Sequence, residues 1–275
     1  MKAVIHVNNF EHQKTHGAAM KSGLERHGIE VSWAGFDEPA PCDFAVIWGS
    51  PFKHPRVKEA TPRLLVMEAG HIGGRDLTRL TYTSCGWNGL QRRGRYPKVE
   101  DGGQRWKALY ADFIEPWRIQ TEGYALLLGQ VPGDFSLYGL PSGFQSWAQA
   151  QTNMLRTLGY DVVFRPHPLC RKLGHLTTPD GAEESNGTLA EDLAGASFAV
   201  AFNSTSSVES VLAGVPTVTL DEGAMAWDVT SHQLSTDRVQ PDRHAWAHWL
   251  AYTQWRLDEL SSGFAWEHIH TAMEG

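Results

Sequence analysis

Cysteine is scarce in this 275-residue chain: Cys42, Cys85 and Cys170 lie far apart, with no Cys-x-x-Cys pair. That excludes a disulfide scaffold and a thiolate zinc framework, and it suits a reducing cytoplasm, where the sequons at Asn186 and Asn203 carry no glycan. No apolar run approaches the length of a membrane span, and the N-terminus enters a strand at once, so neither a spanning helix nor a signal peptide is expected. Internal repeats and low-complexity segments are missing as well. Positive charge is in deficit: 24 Lys and Arg against 31 Asp and Glu leave a net charge of −7, which argues against tight nonspecific nucleic-acid binding by the whole surface. What is plentiful is tryptophan, with 11 residues, some for a core and others for lining a sugar or base site. At 41% hydrophobic and 20% charged, the chain reads as globular, long enough for one large or two small domains.

The apolar runs alternate with helical spacing and Gly/Pro turns. Lys2 to Val7 reads as a first strand, ending in the polar turn Asn8-Asn9, and a helix follows from about Thr15 to His27. Glu30 to Trp33, Phe44 to Trp48 and Arg63 to Met67 are further strands, a spacing that predicts a parallel α/β sheet. The turn from Asn8 to Lys14 lies at a strand's carboxyl end, where α/β sheets bind ligands. Beyond Gly123 a second α/β unit begins with Tyr124 to Leu128, a helix near Ser146 to Leu158 and a strand at Asp161 to Phe164. The division expected is an acceptor-side domain over 1–122 and a second domain over 123–275 that ends in a C-terminal helix from Pro241.

The stretch from Asn203 to Leu220 organises the second half. The apolar run Phe198-Ala-Val-Ala-Phe202 ends in Asn203, Ser204, Thr205, Ser206 and Ser207, residues that favour helix starts. Val208, Val211 and Leu212 recur at helical spacing, Gly214 and Pro216 stop the helix, and Val215 to Leu220 is the next strand. The hydroxyls and free N–H groups at such a helix start suit an anion, most naturally a phosphate. Upstream, Arg165-Pro-His-Pro168 follows a strand and holds the Arg165 guanidinium and His167 imidazole near the strand tip. Gln130, Asp134 and Ser136 sit in the Gly/Pro turn after Leu126-Leu-Leu128.

Taken in order, Gly-Gln-Val-Pro-Gly-Asp-Phe-Ser, Arg-Pro-His-Pro and Asn-Ser-Thr-Ser-Ser-Val-Glu-Ser-Val-Leu-Ala-Gly-Val-Pro resemble the nucleotide-sugar half of bacterial capsule-polysaccharide glycosyltransferases. The Kdo transferases and the sialyltransferases with His-Pro and Ser-Ser motifs are most similar, over residues 124–222. The resemblance implies a compact α/β GT-B fold, with two Rossmann-like domains facing across a cleft and the donor on the second. It also implies a metal-independent reaction, with His167, Ser206 and Ser207 on donor phosphate and Glu209 on ribose hydroxyls. Lys172, His175 and the loop from Asp221 to His232 are further donor-contact candidates.

In the first half, Glu68 ends a buried strand and opens a glycine-rich loop that also carries Asp76. Glu68 is the first candidate for general base and Asp76 the second, although a loop-capping carboxylate reads equally well. Glu68-Ala-Gly70 also resembles a short acidic-x-Gly motif in the acceptor domain of those transferases. From Lys53 to Arg118 basic residues outnumber acidic ones by thirteen to seven. Within this window Tyr82 to Tyr96 mixes aromatics, glycines and arginines, and the stretch from Gly70 to Arg95 is similar to phage-encoded glycosyltransferase-like proteins. Arg75, Arg92, Arg93 and Arg95 read as phosphate contacts, and Trp87 and Tyr96 as stacking partners, of a flexible acceptor loop; a solvated basic face is the alternative. His244 and His248 have metal-ligand spacing but lack a third ligand, so no metal site is expected.

The function expected is sugar transfer from a UDP- or CMP-linked donor to a hydroxyl, with no cofactor. A hydroxymethylated base of phage DNA is slightly favoured as acceptor, and a capsule glycan is the alternative. A nucleotide-sugar epimerase and a noncatalytic nucleotide- or nucleic-acid-binding module are the rival classes.

Overall fold

The computed structural model describes residues 1–61, 63–72, 81–119, 122–140, 142–173 and 177–274; Arg75, Asp76 and His175 lie outside them. The chain forms two compact units, one of Met1–Asp112 with His244–Gly275, the other of Phe113–Arg243. The first opens with β1 (Lys2–His6), α1 (Glu11–Arg26), β2 (Glu30–Trp33), β3 (Phe44–Trp48), α2 (Pro55–Ala60), β4 (Leu64–Ala69), β5 (Thr83–Trp87) and α3 (Gln104–Tyr110). The second holds β6 (Tyr124–Leu128), α4 (Gly143–Thr157), β7 (Val162–Arg165), α5 (Pro168–Leu173), β8 (Glu183–Glu184), α6 (Leu189–Gly195), β9 (Ala196–Ala201), α7 (Ser206–Leu212) and β10 (Thr217–Thr219). The chain then returns to the first unit with α8 (His244–Ala251), β11 (Gln254–Trp255), α9 (Leu257–Ser262) and α10 (Phe264–Ile269).

Both sheets are parallel at their centres. The first runs β11-β5-β4-β3-β1-β2, with β5 and β11 antiparallel to their neighbours; the second runs β10-β9-β6-β7-β8 and is parallel throughout its described strands. Helices cover both faces, which is why Phe44 to Trp48 and Ala196 to Ala201 are buried along their whole length and read as unbroken apolar runs. In the second unit Phe198, Val200 and Phe202 pack with α4 through Trp147 and Leu155, while Ala199 and Ala201 face α6 through Leu193. α6 starts with a Thr188–Glu191 capping box. No described helix is long and apolar enough to cross a membrane.

Three local readings of the sequence are corrected. α1 begins at Glu11, four residues before Thr15, because the buried Gln13 side chain accepts from Asn8 N–H at 2.8 Å and turns the chain into the helix early. The segment expected to be a flexible loop from Tyr82 contains β5, paired antiparallel with β4 from Leu65↔Trp87 to Ala69↔Thr83. The C-terminal helices, expected in the second domain, belong to the first unit. Their anchor is Arg105 on α3, whose guanidinium forks onto Glu259 at 2.5 and 2.9 Å and donates to the Ala251 carbonyl at 2.8 Å. It lies 4.4 Å from the Trp255 ring centroid. A buried guanidinium must be fully partnered, and only the C-terminal segment supplies those partners.

Removing Arg105 strands the Glu259 carboxylate in that interior. Arg105→Ala should cost about 3–5 kcal/mol of stability, in the range for breaking one side of a buried ion pair, read as a lowered urea midpoint and early hydrogen exchange in α9 and α10.

The first unit also carries an acid weakness. Burial pushes the imidazoles of His6, His12, His16, His54 and His268 below the ordinary histidine range. Nε2 of His6 and of His54 is buried without a hydrogen-bond partner. The unfolded chain therefore binds more protons than the folded one below about pH 6.5, so stability is complete above that value and is lost as pH falls through the depressed folded values. The urea midpoint should drop on going from about pH 7.5 to 5.5, and less steeply in His54→Phe; a flat profile would contradict the assignment.

Candidate functional site

The carboxyl edge of the second sheet gathers four turns. β6 exits through Gly129 and Gln130, β7 through Pro166 and His167, β9 through Phe202 and Asn203, and β10 through Leu220 and Asp221. Leu128 and Arg165 are in register, and Gly129 N–H donates to the Arg165 carbonyl at 2.8 Å. A Cβ on residue 129 would come within 2.6 Å of that carbonyl oxygen and 3.0 Å of His167 N, so only glycine lets the two turns close together.

Asn203 ties three of the four together. It is fully buried, its Oδ1 accepts from Gln130 Nε2 at 2.7 Å, and its N–H donates to Gln130 Oε1 at 3.1 Å. Its Nδ2 donates to the Ser136 carbonyl at 2.6 Å and to Asp221 Oδ1 at 3.2 Å. Asp221 Oδ1 in turn accepts from Gly223 N–H at 2.7 Å, and Asp134 holds the Ser136 turn by accepting its N–H at 2.8 Å. Gln130 and Asn203, expected on the donor, spend their amides on one another. They are positioning residues.

The other expected donor contacts divide. Arg165 leaves the strand tip: Nη1 bonds Asp192 Oδ2 and the Gly187 carbonyl. Strand alternation puts Arg165 on the face of Val163, where α6 lies, and the buried Asp192 needs a cation there. Ser207 is fully buried and donates to the Ser204 carbonyl at 2.6 Å, and Ser204 Oγ accepts from Ser206 N–H at 3.3 Å. Ser204 and Thr205 are buried too. His167 and Glu209 are half-buried at this edge, as is Ser206, whose hydroxyl has no protein partner among the described residues. His167 Nδ1 accepts from Leu169 N–H at 3.2 Å. In the 221–232 loop Trp227 and His232 stack at 3.5 Å, 3° from parallel.

In the first unit, Glu68 lies half-buried near the carboxyl end of β4, opposite Ser84. A side chain on Gly49, where β3 exits, would lie 3.4 Å from Glu68 Oε1, so the carboxylate stands beside that turn. Tyr96 is close by: burial first, and the Glu68 charge after it, hold its phenol protonated. The opposite face of the sheet carries two histidines that the sequence reading passed over. His16 is buried with Nδ1 hydrogen-bonded to the Thr83 hydroxyl, and His12 and His16 meet Trp48 edge-on at 5.2 and 5.9 Å. Their only signal was a spacing of four in the helix after the first strand. Among the described residues, no group of three or more His, Cys, Asp or Glu side chains is placed to hold a metal.

The acceptor loop is corrected at its aromatic residues. Trp87 is 1% exposed and donates from Nε1 to the Ile269 carbonyl at 2.8 Å. Tyr96 is buried, donates to the Gln91 carbonyl at 2.9 Å and meets Trp249 edge-on. Neither ring has a face open to a base. Arg95 donates to the Met273 carbonyl at 3.0 Å, while Arg92 is half-buried and Arg93 exposed.

No family model and no curated protein matches the chain. Solved structures do. The β-Kdo 2,7 transferase KpsC of Thermosulfurimonas dismutans superposes with a TM-score of 0.59 at 15% identity, over 96% of this chain and 99% of that one. The fold is that of the GT-B glycosyltransferases. A UDP-GlcNAc 2-epimerase of Methanocaldococcus jannaschii, solved with UDP-GlcNAc and UDP, aligns over 90% of this chain and 98% of its own at 10% identity and a TM-score of 0.34. The E. coli heptosyltransferase WaaC, solved with ADP-2-deoxy-2-fluoro heptose, gives 0.29 at 12% identity over 80% and 88%. These two scores are too low to bear on the fold.

If Asn203 is the keystone of this carboxyl edge, Asn203→Ala leaves the buried Gln130 amide and the half-buried Ser136 carbonyl without their partner. The expected loss is about 1–3 kcal/mol, read by thermal denaturation of the second unit, together with faster hydrogen exchange in the turns after β6 and β10.

Proposed function

We propose that the chain is a glycosyltransferase that moves a sugar from a UDP- or CMP-linked donor to a glycan hydroxyl, with the donor on the second unit. The observation that carries this reading is the convergence of three strand exits on the Asn203 amide and of the fourth on Gly129, with His167, Ser206 and Glu209 half-buried at the same edge. A rigid edge of this kind can meet the charge that builds on a leaving phosphate without reorganising during reaction. The His167 imidazole and the Ser206 hydroxyl both suit a phosphate oxygen, and the Glu209 carboxylate suits ribose hydroxyls. Glu68 is the general base: it takes the proton of the acceptor hydroxyl as that oxygen attacks the anomeric carbon and the nucleotide departs. Leaving-group charge is met by protein donors, so no divalent metal takes part. A capsule or surface glycan replaces DNA as the acceptor, because the rings that were to stack on bases are core residues. The cysteines Cys42, Cys85 and Cys170 are all unpaired, which fits a cytoplasmic enzyme.

A screen of UDP-, CMP- and GDP-sugars by calorimetry and product formation tests the proposal. His167→Ala and Ser206→Ala should each weaken nucleotide binding by roughly 10- to 100-fold, the equivalent of about 1.5–3 kcal/mol for a hydrogen bond to a charged group. Unchanged affinity in both would remove the donor assignment. Glu68→Gln should lower kcat by about 10²–10⁴ with nucleotide affinity intact. Activity should survive excess EDTA; loss restored by Mg²⁺ or Mn²⁺ would replace the protein-donor mechanism with a metal-assisted one.

A further inference from the structure

Two Asn-Gly steps occur in the chain, Asn88-Gly89 and Asn186-Gly187, and the fold holds them in opposite ways. An asparagine before glycine is open to attack, because no Cβ shields the next backbone nitrogen from the side-chain amide. Asn88 is kept from that reaction. Its Oδ1 accepts from Leu64 N–H at 2.7 Å, and its own N–H donates to the Leu64 carbonyl at 2.7 Å. The Gly89 backbone lies so close to Arg93 that a Cβ there would come within 2.3 Å of the Arg93 carbonyl oxygen. Side chain and backbone are both pinned, the first to β4, and neither can turn towards the other. Asn186 has no such restraint. It is exposed, it lies between β8 and α6 outside helix and strand, and its side chain has no hydrogen-bond partner among the described residues. The Gly187 N–H donates to Ser185 Oγ at 3.2 Å, the long end of the N–H···O range.

We infer that Asn186 is a site of spontaneous deamidation in the folded protein, from which the same dipeptide at Asn88 is protected. The Gly187 backbone nitrogen gives its proton to solvent and attacks Cγ of Asn186, the side-chain nitrogen leaves as ammonia, and a succinimide closes. Water then opens the ring at either carbonyl. One opening leaves aspartate; the other leaves isoaspartate, in which the side-chain carbonyl has become part of the main chain. Asparagine and water are consumed, an acidic residue and ammonia are formed, and nothing is oxidised or reduced. The product falls in an acidic corner. Glu183, Glu184 and Glu191 are exposed on either side of it in the chain, and the buried Asp192 already takes Arg165 as its ion partner. A further carboxylate adds repulsion there. Isoaspartate also lengthens the backbone directly before Gly187, whose carbonyl accepts from Arg165 Nη1 at 2.7 Å, and before Thr188, the N-cap of α6. Conversion at Asn186 therefore loosens the start of α6 and one of the two contacts that hold Arg165 Nη1.

The test is incubation of the full chain at mildly alkaline pH, native and in guanidinium chloride, followed by peptide mapping with mass spectrometry. In the native chain the Asn186 peptide should show the mass gain of amide-to-acid conversion, divided between aspartate and isoaspartate. Its rate should exceed that of the Asn88 peptide by about tenfold or more, the factor that opening the two Leu64 hydrogen bonds imposes. In guanidinium chloride the gap should close, because the dipeptide is the same and the fold is gone. Asn186→Ser should remove the conversion from its own peptide and leave the Asn88 peptide as it was. In the converted protein, hydrogen exchange in α6 should be faster than in fresh protein. An Asn186 peptide that stays intact in the native chain while converting in denaturant would overturn the site. So would equal native rates at the two positions. A rate gap that persists in denaturant would place the difference in the flanking residues and overturn the structural protection of Asn88.

Discussion

A primary amide buried at a strand tip must have its donors and acceptors satisfied by protein, and in the second unit that demand falls on Asn203. The residue comes directly after the apolar strand β9, where the backbone leaves the ladder and can no longer rely on neighbouring strands. Its side chain does what the ladder did, joining the exits of β6 and β10 to that of β9. The turns after β6 and β10 inherit their position from that amide. The His167 turn is brought in separately, by Gly129 and the Arg165 carbonyl. A polar network of this kind is stabilising only when complete, and that places a constraint on any substitution in these turns.

The motifs were legible in the sequence because turn chemistry is local. Hydroxyls after an apolar run, prolines around a histidine and a glycine at a tight approach all announce themselves within a few residues. What a side chain does once there is not local. Arg165 and His167 are two apart, but the first belongs to the strand and obeys its alternation, so Asp192 of α6, 27 residues on, decides its role. Ser206 and Ser207 are adjacent, yet the helix turns one inward and leaves the other at the surface. Composition was least reliable where it mixed aromatics with arginines: Trp87 and Tyr96 look like a mobile basic loop in sequence and are core in space, because their partners Ile269 and Trp249 come from the far end of the chain.

That far end explains the domain boundary as well. Residues after 243 carry ordinary helical patterns and give no local hint of which sheet they cover. The deciding group is Arg105, a cation in α3 whose guanidinium takes Glu259 of the C-terminal segment as its carboxylate partner. β11 then extends the sheet beyond β5, and α9 and α10 cover α1 and the β3 face through Leu260, Ala265 and Trp266. A long-range ion pair sets the boundary, and propensity cannot register it.

The two units differ in how their strand-end residues are used, and this bears on the division of labour. At the edge of the second sheet the Gln130, Asn203 and Asp221 side chains are turned on one another. At the end of β1 and β2 the exposed Asn8, Asn9 and Lys14 line a pocket beside Trp33, facing solvent. Unspent hydrogen-bonding groups cost little while they face water, but they gain only from a ligand that matches their spacing. A surface built that way discriminates among partners, whereas one built on a locked network holds a constant group. Locked and solvent-facing polar groups thus fall on separate sheets, a difference set by the turns that follow each sheet's strands.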